Sequence, residues 1–501
     1  MDSTGRNNPN ALIYGVDVGN GYGKVSILLE EKQDPIYLMP DSLLAGMPST
    51  VYASPDGDLR ATKVQHKRAS RAIDAVKTKL NEPFIVLEEK GQTYQVSPCD
   101  AYAAIARDLI ELANEERQKH NQPPVHQLVL TYPAGFKDRP DLLGKLKTSV
   151  ESVVLDGQRL KVCGMISEPA AVALDYLYYM RNLIANPIKA DKYTILVYDL
   201  GHGTFDTAVV TAYAEVGKDC ELHCQNGDGE IGGKKFDDLL FSELLEQVYA
   251  QTDENAEFNR ESLRNIAVEM KHELSTQNSS EMEFFANDEE VTLQFTQVEF
   301  AQLIMPQIMK TLEVVNAVRE EAKGKGVTID AIVLSGGSSQ IPFIKSALLE
   351  MTSNKLPVEV YRPNRGVTYG AARYAYNSGL VQHVERSCGI RNHKEADHDD
   401  VLFLLNEDAK LPCISDPYLI RTAPSGITKI WLRRADTPMP GAKKAPNKDC
   451  VDILQIPIEL PPNEQCSLRL RMDTNRCIFV DCTLPNGKVI TKSTFCHDNK
   501  E

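Results

Sequence analysis

One arrangement of residues occurs twice in this chain, and it restricts the possible folds more than any other feature. Residues 195–210 consist of an apolar run, Asp199, a glycine-rich turn and a second apolar run. Residues 11–29 repeat the same order around Asp17. A glycine turn between two apolar runs predicts a pair of antiparallel strands. Two such units, each in a region where strands and helices alternate, predict a duplicated α/β domain whose turns face each other across a cleft.

The composition of the two turns favours phosphate binding. The turns consist of Gly19, Asn20, Gly21 and Tyr22 in the first unit, and of Gly201, His202, Gly203 and Thr204 in the second. Glycine lets backbone N–H groups approach a polyphosphate, and the carboxylates of Asp17 and Asp199 could hold a hydrated Mg²⁺ ion against it. One such turn is weak evidence, because similar turns are common in β-rich proteins. The two together predict a nucleotide site.

Two further segments are expected to reach the same cleft. A predicted strand at 161–166 leads into a helix start, and this places Glu168 at the carboxyl edge of a sheet, where open α/β sheets bind ligands. The alternative is that Glu168 only stabilises the helix N-terminus. A buried strand at 330–335 is followed by the glycine turn 336–340 and a helix, an arrangement that also suits a nucleotide.

The length and the changing pattern of the chain predict more than one domain. A chain of 501 residues exceeds what one hydrophobic core usually supports. Helices are predicted at 97–120, 236–249, 260–275 and 297–323, the last kinked or broken at Pro306. After Gly379, short alternating stretches separated by turns predict an all-β sandwich. We expect a flexible segment 1–10, an α/β nucleotide-binding domain 11–380, a linker 381–386, a β domain 387–496 and a tail 497–501.

Charge and cysteine content argue against several classes of partner. With 70 acidic and 55 basic residues, the net charge of −15 offers no footprint for nucleic acid. The chain start does not resemble a signal peptide, and no apolar run is long enough to span a bilayer, so we expect a cytoplasmic protein without membrane contact. Eleven scattered cysteines suit reduced thiols. Cys220, His223 and Cys224 could bind zinc, but buried thiols on a strand are the commoner arrangement.

Four motifs, at 166–171, 199–206, 229–237 and 334–342, resemble those of the DnaK-type seventy-kilodalton heat-shock chaperones. These chaperones belong to the actin, sugar-kinase and heat-shock ATPase superfamily. The motifs occur in the family's order, and the resemblance covers residues 11–380. More loosely, the strands after Gly389 resemble the family's peptide-binding sandwich. The resemblance implies an actin-like ATPase domain, with two lobes around a nucleotide cleft, followed by an all-β sandwich, and it implies ATP/ADP and Mg²⁺ as cofactors.

The resemblance also implies roles for individual residues. Asp17 and Asp199 would position the hydrated Mg²⁺, Lys77 would reach the γ-phosphate, and Glu168 and Thr204 would order the attacking water. The other implied nucleotide-binding positions are Gly19, Asn20, Gly21, Tyr22, Gly201, His202, Gly203, Gly232, Gly233, Lys271, His272, Ser275, Gly336, Gly337, Ser338 and Gln340. Pro133 matches a proline that couples nucleotide state to the second domain. Lys77 lies among other lysines, and the alternative is an ordinary solvated surface.

The chain also departs from the family pattern. Asn20 and Gly21 stand where the family usually has two threonines, and His202 stands where it has a glycine. His272 and Gln340 correspond to two arginines that sandwich adenine, and they stack less strongly, which predicts weaker nucleotide affinity or broader base preference. His272 could equally be a helix-surface histidine. The linker is atypical and a helical lid is not expected, so bound peptides should dissociate quickly.

These observations favour an ATP-dependent chaperone whose β domain binds unfolded or extended peptides by strand-like main-chain hydrogen bonds, with co-chaperones as possible partners. Two alternatives remain open. The first is a nucleotide-binding regulatory or scaffold protein with one dedicated partner. The second is a polymerising actin-like ATPase, because the first turn also resembles that of plasmid-segregation and archaeal actin-like proteins. A small-molecule kinase of the same fold is the least favoured.

Overall fold

The structure, a computed structural model, describes residues 12–54, 57–61, 71–89, 91–182, 191–214, 218–253, 255–287, 289–392 and 400–493. The expected flexible start 1–10 and tail 497–501 lie outside these residues. The first group of elements is β1 (Tyr14–Val18), β2 (Tyr22–Ile27), β3 (Ile36–Tyr37), β4 (Met47–Pro48), β5 (Val51–Ala53), β6 (Leu59–Arg60), β7 (Ala72–Ile73), β8 (Ile85–Glu89), β9 (Gln92–Val96), α1 (Pro98–Lys119), β10 (Gln127–Tyr132), α2 (Pro140–Glu151), β11 (Val154–Leu155), β12 (Gln158–Arg159), β13 (Lys161–Ser167) and α3 (Glu168–Asn182).

The second group follows the same plan. It consists of β14 (Lys192–Leu200), β15 (Phe205–Tyr213), β16 (Cys220–Asp228), α4 (Gly233–Gln251), α5 (Arg260–Leu274), β17 (Ser279–Ala286), β18 (Glu289–Thr296), α6 (Gln297–Gly324), β19 (Ala331–Ser335), α7 (Pro342–Met351), β20 (Val358–Val360), α8 (Gly366–Asn377) and β21 (Leu380–Val381). The third group is all strand: β22 (Cys388–Asn392), β23 (Asp400–Leu405), β24 (Cys413–Ile414), β25 (Tyr418–Arg421), β26 (Ile427–Ala435), β27 (Lys444–Pro446), β28 (Cys450–Glu459), β29 (Gln465–Met472), β30 (Ile478–Thr483) and β31 (Val489–Ser493).

The two central sheets have the same strand order and the same strand directions. In the first sheet, β13, β10 and β1 are parallel neighbours, and β2 and β3 continue antiparallel. In the second sheet, β20, β19 and β14 are parallel neighbours, and β15 and β16 continue antiparallel. The strand and turn that carry Asp17 therefore occupy the same place in the first sheet as those of Asp199 do in the second. The predicted duplication is confirmed.

The helices α3 and α8 pack between the two sheets and form a core that both lobes share. This core contains Val129 of the first sheet, Val197 of the second, and small side chains of both helices such as Ala171 and Ala371. Gly370 of α8 lies against the backbone of α3, because a methyl group there would overlap the carbonyl oxygen of Ala171. The small residues thus allow the two helices to approach backbone to backbone.

Replacing Gly370 with alanine should destabilise the chain. The added methyl group must push α3 and α8 apart, and overpacking of this kind costs about 1–3 kcal/mol of unfolding free energy. Denaturant unfolding of the full chain measures the loss. Gly366→Ala is the matched control, because a methyl group at Gly366 of the same helix would meet Val172 at an ordinary 3.5 Å. Equal stability of the two variants would contradict the close helix contact.

The predicted helices and strands agree with the structure, with one correction. Ser97 caps α1 as predicted, and its Oγ accepts a hydrogen bond of 3.4 Å from the backbone N–H of Asp100. Of the predicted kink or break at Pro306, the break is wrong, because α6 continues through this residue, and the kink stays a prediction. Pro306 lies on the exposed face, while Ile304 and Ile308 on either side of it are buried in the core, so packing holds the helix together.

The third group of strands forms two facing sheets. One has the order β27-β23-β22-β26-β28, and the other consists of β24, β29, β30 and β31, with β25 also paired to β29. Residues of both sheets, including Leu432, Ile456, Leu468 and Val480, form one core. The all-β sandwich is therefore confirmed, whereas the exact domain boundaries stay predictions.

The segment with Cys220 and Cys224 is part of β16, and both thiols are buried. His223 points elsewhere and contacts Thr211 Oγ1 through Nε2 at 2.7 Å. Within the described part of the chain, no group of three or more histidine, cysteine or acidic side chains is placed to hold a metal ion. These residues therefore fit the alternative of buried thiols on a strand.

Candidate functional site

A cavity of about 490 Å³ lies between the two lobes, where β1 and β14 end. Nearly all the predicted site residues line it: Asp17, Gly19, Asn20, Gly21, Tyr22, Lys77, Glu168, Asp199, Gly201, His202, Gly203, Thr204, Lys271, His272, Ser275, Gly336, Gly337, Ser338 and Gln340. Gly232, Gly233 and Pro133 are not part of its wall. The cavity thus brings together residues from both halves of the duplication.

Lys77 lies at the base of the cavity and not on a solvated surface. Its side chain is 2% exposed, and its Nζ donates a hydrogen bond of 2.7 Å to Oε1 of Glu168. Oδ1 of Asp17 lies 4.0 Å from the same nitrogen. Burial by itself would lower the pKa of Lys77, but the charge of Glu168 outweighs it and raises this pKa above its usual value. The ammonium group is therefore charged, and the alternative of a solvated surface is wrong.

Three carboxylates share this end of the cavity. Asp17 and Asp199 are each 5% exposed. Burial and the nearby charges of Glu168 and Asp17 raise the pKa of Asp199 to about 8. Burial also raises the pKa of Glu168, although Lys77 opposes this. Crowded, buried carboxylates with raised pKa values are stabilised by a nearby cation, so the donor set fits a hydrated Mg²⁺ ion that is held through its water molecules.

Glu168 is the first residue of α3, as predicted. The proposal that it only stabilises the helix N-terminus is incomplete, because its carboxylate also accepts the hydrogen bond from Lys77. Asp17 is oriented in a similar way by Thr131, whose Oγ1 donates to Oδ1 at 3.1 Å. The acidic side chains are therefore held in fixed positions by neighbours on β10 and on the short 3₁₀ helix Val76–Lys79.

Gly232 and Gly233 support the second glycine turn from behind. The backbone N–H of Gly233 donates to the carbonyl oxygen of Gly201 at 2.9 Å, and that of Lys234 donates to the carbonyl oxygen of His202 at 2.7 Å. A methyl group on Gly232 would lie 2.5 Å from the carbonyl carbon of Gly203. This close approach explains the glycine, and the implied contact with a ribose stays a prediction.

The opposite end of the cavity is formed by α5 and by the turn before α7. Lys271 makes an ion pair of 2.6 Å with Asp237, and Ser338 Oγ donates to the carbonyl oxygen of Gly201 at 3.2 Å. Gly336 has a φ of +81°, which favours glycine, and a methyl group there would overlap the backbone of Leu200. His272 is exposed on α5 and lines the cavity at the same time.

The sequence motifs did not identify two charged residues of the site, Asp206 and Lys24. Asp206 is 2% exposed and lies directly opposite Asp199 in the β14–β15 hairpin. Burial and the charges of Glu168 and Asp199 raise its pKa well above the usual range. Lys24 lies on β2, with its Nζ 4.0 Å from Asp17. The available signal was a charged residue inside an otherwise apolar strand.

Pro133 is connected to the site through Asp206. It precedes the short 3₁₀ helix Ala134–Phe136, and the backbone N–H of Ala134 donates to Oδ1 of Asp206 at 2.6 Å. Lys137 follows directly and makes an ion pair of 2.7 Å with Glu385. The segment after Pro133 thus runs from the cavity towards the β sandwich.

Glu385 joins the first lobe to the sandwich. Its carboxylate contacts Lys137 and also Arg476 of the sandwich, the latter at 2.7 Å, and accepts a hydrogen bond of 3.1 Å from Gln225. We call these four residues the Glu385 cluster. Although burial opposes it, the attraction of Lys137 and Arg476 lowers the pKa of Glu385 to about 2. The cluster therefore consists of buried charges that compensate one another.

A second link runs from Glu168 to the same cluster. Ser167, the residue before Glu168, donates to the side-chain oxygen of Gln225, whose amide contacts Glu385. Nearby, the backbone N–H of Met165 donates to Oδ1 of Asn475 in the sandwich at 2.8 Å. The catalytic candidates and the sandwich are therefore separated by only a few hydrogen bonds.

Comparison with known proteins agrees with these features. The family model described as Hsp70 protein matches residues 57–381. A curated heat shock protein of Pyricularia oryzae (strain 70-15) is 28% identical over 295 residues, which cover 58% of this chain and 45% of that relative. The matched region thus spans less than half the length of this curated relative. In the described residues, no helix is long and apolar enough to cross a membrane.

Proposed function

Because the chain belongs to the Hsp70 family and has that family's actin-like two-lobed ATPase fold, we propose that it is an ATP-dependent molecular chaperone of the DnaK type. In this proposal residues 11–380 bind ATP or ADP with Mg²⁺ and hydrolyse ATP. The sandwich 387–496, which the linker 381–386 joins to this domain, binds unfolded or extended peptides, with co-chaperones as further partners. The observation that carries the proposal is the buried pair of Lys77 and Glu168, beside two aspartates and between two glycine turns. A cytoplasmic location is part of the proposal.

In phosphoryl transfer the protein contributes mainly by positioning the reacting groups and by compensating the negative charge of the phosphates. Asp17 and Asp199 would hold the hydrated Mg²⁺, which neutralises phosphate charge when bound. Lys77 would place its ammonium group against the γ-phosphate. Glu168 and Thr204 would orient a water molecule, whose oxygen forms a bond to the γ-phosphorus as the bond to the bridging oxygen of ADP breaks.

The path from Glu168 to the sandwich supports a link between nucleotide state and peptide binding. A displacement of Glu168 or Asp206 would alter the contacts of Gln225 or Lys137. Both of these residues contact Glu385. Such coupling needs an element with two arrangements that both sites favour differently. The docked and released positions of the sandwich would be those two arrangements.

The corresponding prediction is that ATP weakens peptide binding. An extended apolar peptide with a fluorescent label should bind the full chain roughly tenfold more weakly with Mg-ATP than with Mg-ADP, a typical size for coupling between two sites. Fluorescence anisotropy gives the two affinities. A labelled peptide of the same length with only charged and polar residues is the control. Equal affinities with ATP, with ADP and without nucleotide would exclude the proposed cycle.

A second candidate function is a regulatory or scaffold protein with one dedicated partner. The observation that favours it is the presence of His272 and Gln340 on the cavity wall, where the family's adenine-stacking arginines are expected. Affinity capture with the full chain separates the two functions. One partner in stoichiometric amount favours the scaffold, and a wide set of unfolded proteins favours the chaperone.

A further inference from the structure

The two glycine turns interlock across the cavity. A methyl group on Gly21 would lie 2.6 Å from Cγ of His202, and one on Gly203 would lie 2.7 Å from Cβ of Asn20. The side chain of each turn therefore covers the glycine of the other. Asn20 and His202 hold corresponding positions in the two units, as do Gly21 and Gly203. The interlock is thus symmetric in the backbone but not in the chemistry of its two side chains.

The imidazole of His202 is free to bind a ligand. The residue lines the cavity and is half-buried, and no described residue makes a hydrogen bond to either ring nitrogen. The charged groups that act on the ring are Lys271 of α5, Asp237 and Lys234 of α4, and Asp74 before the short 3₁₀ helix. Burial first, and the charge of Lys271 second, lower the pKa of His202. In the free protein the ring is therefore neutral at pH 7.

We propose that His202 determines how the site binds the polyphosphate of a nucleoside di- or triphosphate, by donating from the second turn a side-chain hydrogen bond, which Gly21 of the first turn cannot supply. This inference rests on the proposed function. The first turn lines the cavity with the side chains of Asn20 and Tyr22, but at Gly21 it has no side chain to offer a ligand. The imidazole of His202 fills the space beside Gly21, and both of its nitrogens become donors when it is protonated.

Nucleotide binding should therefore depend on pH. A bound polyphosphate favours the charged imidazole and raises the pKa of His202 above its value in the free protein. Binding then takes up a proton. The gain in affinity is complete below the pKa of the free protein and is lost as the pH rises through the pKa of the complex.

The test is titration calorimetry of Mg-ADP with the full chain between about pH 6 and pH 8. His202→Gln keeps the size and one donor of the side chain but cannot become charged. The ratio of wild-type to variant affinity should be near one at pH 8 and should rise as the pH falls, towards a limit of roughly tenfold below the pKa of the free protein, because a charged donor forms a stronger hydrogen bond. Protonation of ADP affects the wild type and the variant equally, so it does not change this ratio. The double variant Gly21→Thr/His202→Gly, which moves the donor to the first turn, should bind with a pH dependence like that of His202→Gln.

A second measurement needs no enzymatic activity. In protein with labelled histidine, NMR titration of the wild-type chain should show the pKa of His202 rising by about one unit on addition of Mg-ADP. The signal is assigned with His202→Gln or, should that variant not fold, with His202→Asn. If wild type binds ADP but both the affinity ratio and the imidazole pKa stay unchanged, the inference falls while the proposed function stands. If wild type binds neither ADP nor ATP at any pH, both fall.

Discussion

Replacing Lys77 with alanine should lower ATP turnover by roughly 10²- to 10³-fold, the usual cost of removing one preorganised group that stabilises developing charge. Lys77 contacts Glu168 at 2.7 Å and is buried next to Asp17. Without its ammonium group, the carboxylates and the phosphates would repel each other with less compensation. Nucleotide binding should persist, because both glycine turns remain. Phosphate release gives the turnover, and titration calorimetry gives the affinity.

The matched control is Lys79→Ala. Lys79 belongs to the same short 3₁₀ helix but does not line the cavity. Its removal should leave turnover within about twofold of wild type, as for other surface substitutions. Thermal unfolding of both variants checks that the fold is intact. Equal turnover of Lys77→Ala and wild type would remove Lys77 from the proposed mechanism.

Replacing Glu385 with alanine should release the sandwich from the first lobe. The change leaves the cations of Lys137 and Arg476 buried without their shared carboxylate, and breaking a buried pair in this way costs about 3–5 kcal/mol. Limited proteolysis at 381–386 and denaturant unfolding measure the effect. In the peptide assay, the difference between ATP and ADP should disappear. Arg386→Ala is the control. Arg386 is half-buried, and its ion pair with Glu321 is long, at 3.9 Å, so its loss should matter little.

A triple variant separates charge from packing. Lys137→Met/Glu385→Leu/Arg476→Met replaces all three charges by apolar side chains, and it should recover most of the stability lost in Glu385→Ala.

The pH dependence of the unfolding free energy is a further check on the Glu385 cluster. Because the pKa of Glu385 is lowered to about 2, the contribution of the cluster is complete above the ordinary pKa of a glutamate and is lost only as the pH falls towards 2. Wild-type behaviour of Glu385→Ala would contradict the cluster's role.

The duplicated sheets could be predicted from the sequence because their signal is local. An apolar run, an aspartate and a glycine turn determine a strand pair within about 15 residues, and β1–β2 and β14–β15 are where they were expected. α8 gave no such signal. Most of its residues from Thr368 to Ala375 are buried on all sides, so it lacks the alternating polar and apolar faces that identify a helix.

The site could be predicted in composition but not in arrangement. The motifs supplied the residues of the cavity wall, yet the burial of Lys77 follows from packing against residues far away in the chain, and its lysine-rich surroundings indicated the opposite. The Glu385 cluster is similar, because its charges come from three separate segments. A glutamate in a predicted linker is ordinarily solvated, and only the folded chain brings Lys137 and Arg476 to it.

The contact of Gly370 with Ala171 has a counterpart on the other side of α8, where a methyl group on Gly15 of β1 would overlap the backbone of Ala372. α8 is therefore clamped between a strand of the first lobe and a helix of the shared core, with no side chain in between that could change its rotamer. β1, α8 and α3 are therefore expected to move as one unit in any rearrangement of the two lobes.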